Sequence, residues 1–501
     1  MGPFFFIALV IIMLMQFKRD ARIAARLSSR GLWGSPLVRA CIVFLALVIV
    51  PPLLVAYSGI GGTVYIPDGG MLGVHALISL LISYTWYRYL TWLDPFEREK
   101  LGWELAVFFA ACASTFLTFP LSDLVVELFS LRLDGDNWND WWYSVIAIGL
   151  VEEVVKILPF LILLFFTKQV DEPFDHILYA SICALGFAFI ENTIYLERSN
   201  LYAVGGRVLY STVGHMFDTS IIAYSMAMAR YHHRPVLPAF LVGLALAALA
   251  HGFYDYWLLA PHRPFLLTLI FFLGSIHLWV VMKNNLVNLS PHYQEHMRPP
   301  SIMFRYRIIN ALLAIFLFTY VVKFMLLGRA EAGQLLAAQG TSMAAMMLFL
   351  AISFSAYDLI PGHIAPLLPK GGLWRLLLPK VEWNVDLSGR RLLMRIPERR
   401  SKASEYLALH HQLPLEGTLR QKIFVENEQG WYIFRPDRPI PFHKANGEVL
   451  LVKPHETNDT IPDDRYIVIL VMAFAGEAAY PTARVRKEQL MPIGQVHGRL
   501  I

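Results

Sequence analysis

Apolar runs of about 15 to 27 residues, long enough to cross a bilayer as helix, recur eleven times in this chain of 501 residues. They lie near 3–17, 40–57, 71–92, 104–126, 141–167, 176–195, 207–230, 236–260, 264–282, 307–327 and 340–360. With 56% hydrophobic and only 16% charged residues, the chain reads as a polytopic α-helical membrane protein with about eleven transmembrane helices.

Charge is unevenly placed: residues 371–501 hold 34 of the 81 Asp, Glu, Lys and Arg. The expected division is N-terminal transmembrane helices over 1–140, a four-helix membrane core over 141–260 and further transmembrane helices over 261–361. An interfacial segment over 362–380 and a small β-rich domain over 381–501 complete it. Runs such as Arg391–Ile396, Gly430–Phe434, Glu448–Val452 and Tyr466–Met472, with turn signals at Asn446-Gly447 and Pro436-Asp437, mark that last domain. It shows no cluster of catalytic residue types, so its expected role is regulatory or structural.

The apolar N-terminus, followed by Lys18, Arg19, Arg22, Arg26 and Arg30, describes an uncleaved first helix with its N-terminus outside. In that orientation the cytoplasmic loops carry 14 Lys or Arg and the opposite loops 5, which places the C-terminal domain in the cytoplasm. The net charge of +5 therefore orients helices in a bilayer and implies no nucleic-acid partner. Cys41, Cys112 and Cys183 all sit in apolar stretches and form no CxxC pair, so no disulfide framework or cysteine zinc site is expected.

Ionisable residues at mid-membrane cost about 2.5 to 3.5 kcal/mol or more each, yet they recur on four successive helices. They read Glu152-Glu153-x-x-Lys156, Phe187-x-x-x-Glu191-Asn192, His215-x-x-Asp218 and His251-x-x-x-Asp255. Four antiparallel helices bring all of them to the outer half of the bilayer. At about 100° per residue, Glu152 with Lys156, Phe187 with Glu191 and His251 with Asp255 each lie about 40° apart, and His215 with Asp218 about 60°. Glu152 and Glu153 are about 100° apart, so one should face a shared site while the other pairs with Lys156 or a neighbouring helix.

A carboxylate beside imidazoles in a partly hydrated cavity suits the activation of water. The glutamate takes the proton and the histidines polarise a carbonyl or stabilise an oxyanion, a chemistry that hydrolyses peptides. Glu152, Glu191, His215 and His251 are also acceptable zinc ligands by type. A metal-free site with no required cofactor is the favoured expectation, because the two histidines sit on different helices without an i, i+4 pair.

These motifs, together with the Gly186-Phe187-Ala-Phe-Ile-Glu191-Asn192-x-x-Tyr195 block and the Arg207…His215 and His251-Gly-Phe-Tyr-Asp255 helices, resemble the PrsW family of intramembrane proteases. That family is a branch of the superfamily containing the CAAX prenyl endopeptidases and bacteriocin-processing homologues. The resemblance covers about residues 141–260. It implies Glu152 as general base on water, His251 as electrophilic or oxyanion partner, and Asp255 holding His251 where the CAAX branch usually carries Asn. Glu191 takes the place of a histidine in the CAAX-type FxxxH, and His215 has no CAAX counterpart. The implied substrate is a membrane-anchored protein cut near its extracytoplasmic end, in regulated proteolysis of a signalling protein such as an anti-sigma factor.

Blander readings stand beside these. Glu153 with Lys156 reads as a supporting ion pair, Asn192 as a supporting residue and Asp218 as a packing partner one turn beyond His215. His75, His277 and His232-His233 have no companion acid a turn away. No HExxH occurs, Gly274-Ser275 lacks the glycine of a rhomboid-type GxSG, and no GxGD accompanies Tyr254-Asp255 or Tyr357-Asp358. The alternative functions are an ion- or proton-coupled transporter and a catalytically silent membrane scaffold.

Overall fold

The computed structural model describes residues 11, 36–93, 97–259, 265–291, 301–356, 364–367, 387–395, 412–425, 428–438, 440, 449–454, 461, 466–474 and 484–501. Apart from isolated positions, the apolar run 3–17 and the surface segment 362–380 lie outside the described residues, as do the basic stretch 17–30 and the Asn446-Gly447 turn. Contacts divide the chain into two compact units.

The first unit is helical. It contains α1 Pro36–Tyr57, α2 Asp68–Leu93, α3 Leu101–Ser114, α4 Thr118–Phe129, α5 Asn137–Trp142, α6 Val151–Phe166, α7 Pro173–Arg198, α8 Thr212–Tyr231, α9 Val236–Leu259, α10 Phe265–Asn288, α11 Ser301–Leu327 and α12 Arg329–Phe354. Two π-helical segments, Tyr143–Leu150 and Arg207–Ser211, lead directly into α6 and α8.

Seven helical stretches among the described residues are long and apolar enough to cross a membrane: Val38–Tyr57, Gly69–Leu93, Leu101–Phe129, Pro173–Arg198, Val236–Leu259, Leu266–Asn288 and Met303–Leu327. Arg329–Gly340 and Ser342–Phe354, bent by 50°, make an eighth if counted as one span. The expected eleven are not confirmed: the run 3–17 lies outside the described residues, and 340–360 falls in the bent pair. The runs at 141–167 and 207–230 hold α6 and α8, which are made less apolar by their ionisable residues: α6 carries Glu152, Glu153 and Lys156 in 16 residues, and α8 carries His215, Asp218 and Arg230.

α7 is buried continuously from Phe174 to Ala188, as befits a helix apolar on all sides at the middle of a bundle. Its start is fixed by a capping box between Glu172 and Asp175 with Pro173 at the first position. Ser79 Oγ on α2 donates to the Phe189 carbonyl (2.6 Å), and Trp279 Nε1 on α10 donates to Ser220 Oγ on α8 (3.0 Å). α9 lies tight against the first π-helical segment. A methyl group on Gly252 would fall 2.5 Å from Val145 Cα, and one on Gly149 would fall 2.6 Å from the Ala248 carbonyl oxygen.

The second unit contains the β-rich region. Its strands are β1 Arg391–Arg395, β2 Leu415–Val425, β3 Glu428–Pro436, β4 Leu450–Pro454, β5 Ile467–Phe474, β6 Arg484–Val485 and β7 Leu490–Leu500. Antiparallel pairings run β1–β2–β3–β4–β5–β7 and return to β1, which closes a six-stranded barrel; β6 pairs parallel with β2. Closure removes free sheet edges. Strand alternation fills the barrel: Tyr432 and Phe434 of β3 join Leu450 and Val452 of β4 in one cluster, while Trp431, Ile433 and Leu451 form another. β2 and β7 carry too many polar residues to stand out in the sequence.

Candidate active site

The ionisable residues of four helices converge in one buried cluster. On α6, Lys156 is fully buried, and its Nζ lies 3.2 Å from Glu152 Oε2 and 2.8 Å from Glu153 Oε1. The same Nζ lies 2.8 Å from His215 Nδ1 on α8 and 3.4 Å from His251 Nδ1 on α9, and sits 4.4 Å from the Phe187 ring centroid. One ammonium thus bridges two carboxylates and two imidazoles in a low-dielectric interior, where such interactions are strong.

The two glutamates differ in surroundings. Glu153 is fully buried and saturated: Thr219 Oγ1 donates to its Oε2 at 2.8 Å, and His251 Nδ1 lies 2.9 Å from Oε1. Glu152 keeps 14% of its side chain exposed, and its buried Oε2 lies 3.2 Å from Lys156 Nζ and 3.6 Å from His251 Nε2. Both carboxylates reach Lys156 and His251, so the 100° separation along the helix does not send them to different neighbours. Lys156 lies at i+4 from one and i+3 from the other, between their two directions.

On the other side, Arg207 forms ion pairs with Glu191 and a hydrogen bond from Nε to Asn192 Oδ1. Asn192 Nδ2 donates to Thr212 Oγ1 (3.1 Å), which donates to the Arg207 carbonyl (2.7 Å). His215 Nε2 meets Glu191 Oε2 at 2.7 Å. Asp255 Oδ2 lies 3.5 Å from His251 Nε2, one turn along α9. Asp218 is buried, and one of its oxygens lies within 4.8 Å of Glu153 and His251 ligand atoms. All six candidate catalytic residues, with Lys156, Asn192 and Asp218, therefore belong to one assembly.

Arg207 and Thr219 were given no role from sequence. Arg207 lies near the helix end, where basic residues are ordinary, and Thr219 reads as a small packing residue. Both π-helical segments stop within four residues of a cluster member, Glu152 on one helix and His215 on the other. Such segments recur at functional sites because they re-aim the side chains that follow.

Ligand atoms of Glu152, His215 and His251 lie within 4.8 Å of one another, a donor set that suits a divalent cation by type. Glu191, the fourth expected ligand candidate, is instead engaged by Arg207 and His215.

Fold and cluster define a class: a polytopic membrane protein with carboxylates, imidazoles and an ammonium gathered among its helices. Residues 99–282 match the model of the PrsW family intramembrane metalloprotease. The chain is similar to Protease PrsW of Geobacillus kaustophilus, 26% identical over 183 residues, 36% of this chain and 76% of that protein. It is similar also to Protease PrsW of Shouchella clausii, 29% identical over 213 residues, 42% of this chain and 94% of that protein. Protease PrsW of Bacillus subtilis is 26% identical over 181 residues, 36% of this chain and 78% of that protein. No solved structure matches the chain. Over residues 99–282 the chain is similar to the PrsW family, and these relatives indicate an intramembrane protease. These similarities favour the protease over the transporter and scaffold alternatives.

Proposed function

We propose that the protein hydrolyses a peptide bond of a membrane-anchored substrate through water activated by Glu152. The observation that carries this reading is the contrast within the pair. Glu153 is fully buried with Lys156, His251 and Thr219 on its oxygens, whereas Glu152 keeps 14% of its side chain exposed and has, among the described residues, ion-pair contacts only, from Lys156 and His251 to Oε2. A base needs an oxygen within reach of the proton it removes, and of the two carboxylates Glu152 is the one that keeps exposed surface.

In this mechanism Glu152 takes a proton from water as the oxygen attacks the scissile carbonyl carbon. His251 Nε2, on the same side as Glu152, donates to the oxyanion of the tetrahedral intermediate. Glu152 then returns its proton to the leaving amine as the carbon–nitrogen bond breaks. Glu153 and Asp255 hold the His251 ring, Glu191 and Arg207 hold His215, and Lys156 keeps two carboxylates together that would otherwise repel.

We favour a metal-free site because the Lys156 ammonium already lies within 3.4 Å of one atom of Glu152, His215 and His251. A divalent ion among those atoms would stand against a unit positive charge at close range in a medium of low dielectric. Glu152, His215 and His251 are the residues that would hold such an ion, and it would supply Lewis-acid polarisation of the carbonyl.

The proposed orientation has the N-terminus outside, the β-barrel unit cytoplasmic and cleavage near the extracytoplasmic end of the substrate; the loop charges support it. The segment 141–260 acts as catalytic core, since every member of the cluster lies within it. The proposed substrate class is a membrane-anchored signalling protein, of which an anti-sigma factor is the type implied by the resemblance. Expression with tagged single-pass membrane proteins tests the function. The wild type should yield a shortened tagged product, and Glu152→Gln should leave the substrate whole. Equal products from both chains would overturn the assignment.

A further inference from the structure

The helices that bring Glu152, Glu191 and His215 together also meet at their other ends, around a separate cavity. α6 stops at Phe166, α7 starts at Pro173 and α8 stops at Tyr231, and a cavity of about 380 Å³ opens among these ends. About 27 Å of α7 separates Pro173 from Glu191 at 1.5 Å per residue, so the cavity is distinct from the protease cluster. Because α7 is a candidate span, its first residues stand at a membrane surface.

The cavity carries charges of both signs. Lys168 and Arg230 supply cations and Asp171 an anion, while Glu172 and His176, 2% and 4% exposed, form the inner wall. Arg230 Nη1 lies 3.3 Å from His176 Nε2, which orients the guanidinium. The Asp175 carboxylate accepts the backbone N–H groups of Asp171 (3.1 Å) and Glu172 (2.7 Å), so the loop bearing Lys168 and Asp171 is tied to α7. Leu164, Val170 and Ala227 give an apolar lining. Beside the opening, Ile162, Phe165 and Phe166 expose 59, 67 and 82% of their surface at the end of α6, where acyl chains would cover them.

We propose that this cavity binds the headgroup of a phosphoethanolamine lipid. The phosphate meets Lys168 and Arg230, the primary ammonium donates to Asp171, and the acyl chains run along Ile162, Phe165 and Phe166. The paired signs select a zwitterion over a purely anionic headgroup. A carboxylate acceptor selects an ammonium with N–H donors over trimethylated choline, which has none.

The test uses the full-length chain in lipid nanodiscs and detergent, reading bound lipid by native mass spectrometry and the melting midpoint. Phosphatidylethanolamine should be retained about tenfold more tightly than phosphatidylcholine or phosphatidylglycerol, the ratio for one charge-assisted hydrogen bond. Lys168→Ala should weaken phosphatidylethanolamine about tenfold, and Asp171→Asn should reduce it to the phosphatidylcholine level. Both side chains are exposed, and an unchanged lipid-free melting midpoint checks that each variant folds. Equal retention of the three lipids, or variants that bind as the wild type does, would overturn the proposal. Soluble phosphoethanolamine shifting the midpoint as much as the lipid would identify a free ligand and overturn the lipid assignment. None of these outcomes depends on protease activity.

Discussion

Lys156 Nζ lies 2.8 Å from His215 Nδ1, a cation donating to an imidazole nitrogen across two helices. An Nδ1 that accepts leaves Nε2–H to donate, and Nε2 faces Glu191 Oε2 at 2.7 Å. Arg207, Glu191, His215 and Lys156 thus form one chain of alternating donors and acceptors that ends on Glu152 and Glu153. Its members lie on four successive stretches of the fold, so the site assembles only when the bundle does.

Removing the shared cation should be the most damaging single change. Lys156→Met leaves Glu153 buried without its main partner, and breaking a buried ion pair in this way costs about 3–5 kcal/mol. A steep fall in melting midpoint and loss of cleavage are expected. A stable variant cleaving within about tenfold of wild type would show that Lys156 does not organise the site.

The two glutamates should separate by readout. Glu152→Gln should abolish cleavage and cost only about 1 kcal/mol of stability, since the residue is partly exposed and loses ion-pair contacts to Lys156 and His251 alone. Glu153→Gln should destabilise by about 2 kcal/mol or more, because three polar partners lose a charged acceptor. Denaturation and cleavage measured on the same preparations distinguish them; identical behaviour of the pair would contradict the division of roles.

Backbone approach should matter as much as chemistry. Gly252→Ala places a methyl 2.5 Å from Val145 Cα and must push α9, with His251, away from the π-helical segment that leads into α6; at Gly214 nothing lies within 4 Å. Cleavage should fall at least about tenfold in Gly252→Ala and stay near wild type in Gly214→Ala. The reverse order would mean that the α9 packing does not set the position of His251.

Much of this was legible in the sequence, for reasons of spacing. Lys156 with Glu152 and Asp255 with His251 sit at i, i+4, and both pairs meet as helical geometry requires. The expensive placement of charge in apolar runs pointed to convergence before any coordinates. What was not legible depends on tertiary contacts. Thr219 donates to a carboxylate 66 residues away, and nothing local marks it. The number of spans is not confirmed, since the helices that carry the cluster are made less apolar by its ionisable residues and the run 3–17 lies outside the described residues. In the barrel's closing strands β2 and β7, glycines and polar residues such as Glu416, Arg420, Lys422, Gln495, His497 and Arg499 break up the apolar positions, so no long apolar run marks them.

Thr219→Val keeps the shape but removes the donor to Glu153 Oε2. A loss of about 1–2 kcal/mol of stability is expected, with a lowered kcat and an unchanged KM, since the residue positions Glu153 and does not touch substrate. A change confined to KM would place Thr219 at the substrate instead.

The most direct measurement of the central claim is the single-turnover cleavage rate of a tagged single-pass membrane substrate by the purified protein in nanodiscs, for wild type, chelator-treated wild type and Glu152→Gln. With Glu152 as base and the Lys156 ammonium as resident cation, Glu152→Gln should lose at least about 10³-fold in rate, within the range for a general base or nucleophile-activating group, and chelation should leave the wild-type rate unchanged. Cleavage by Glu152→Gln within about tenfold of wild type, or a rate abolished by chelation and restored by zinc, would contradict it.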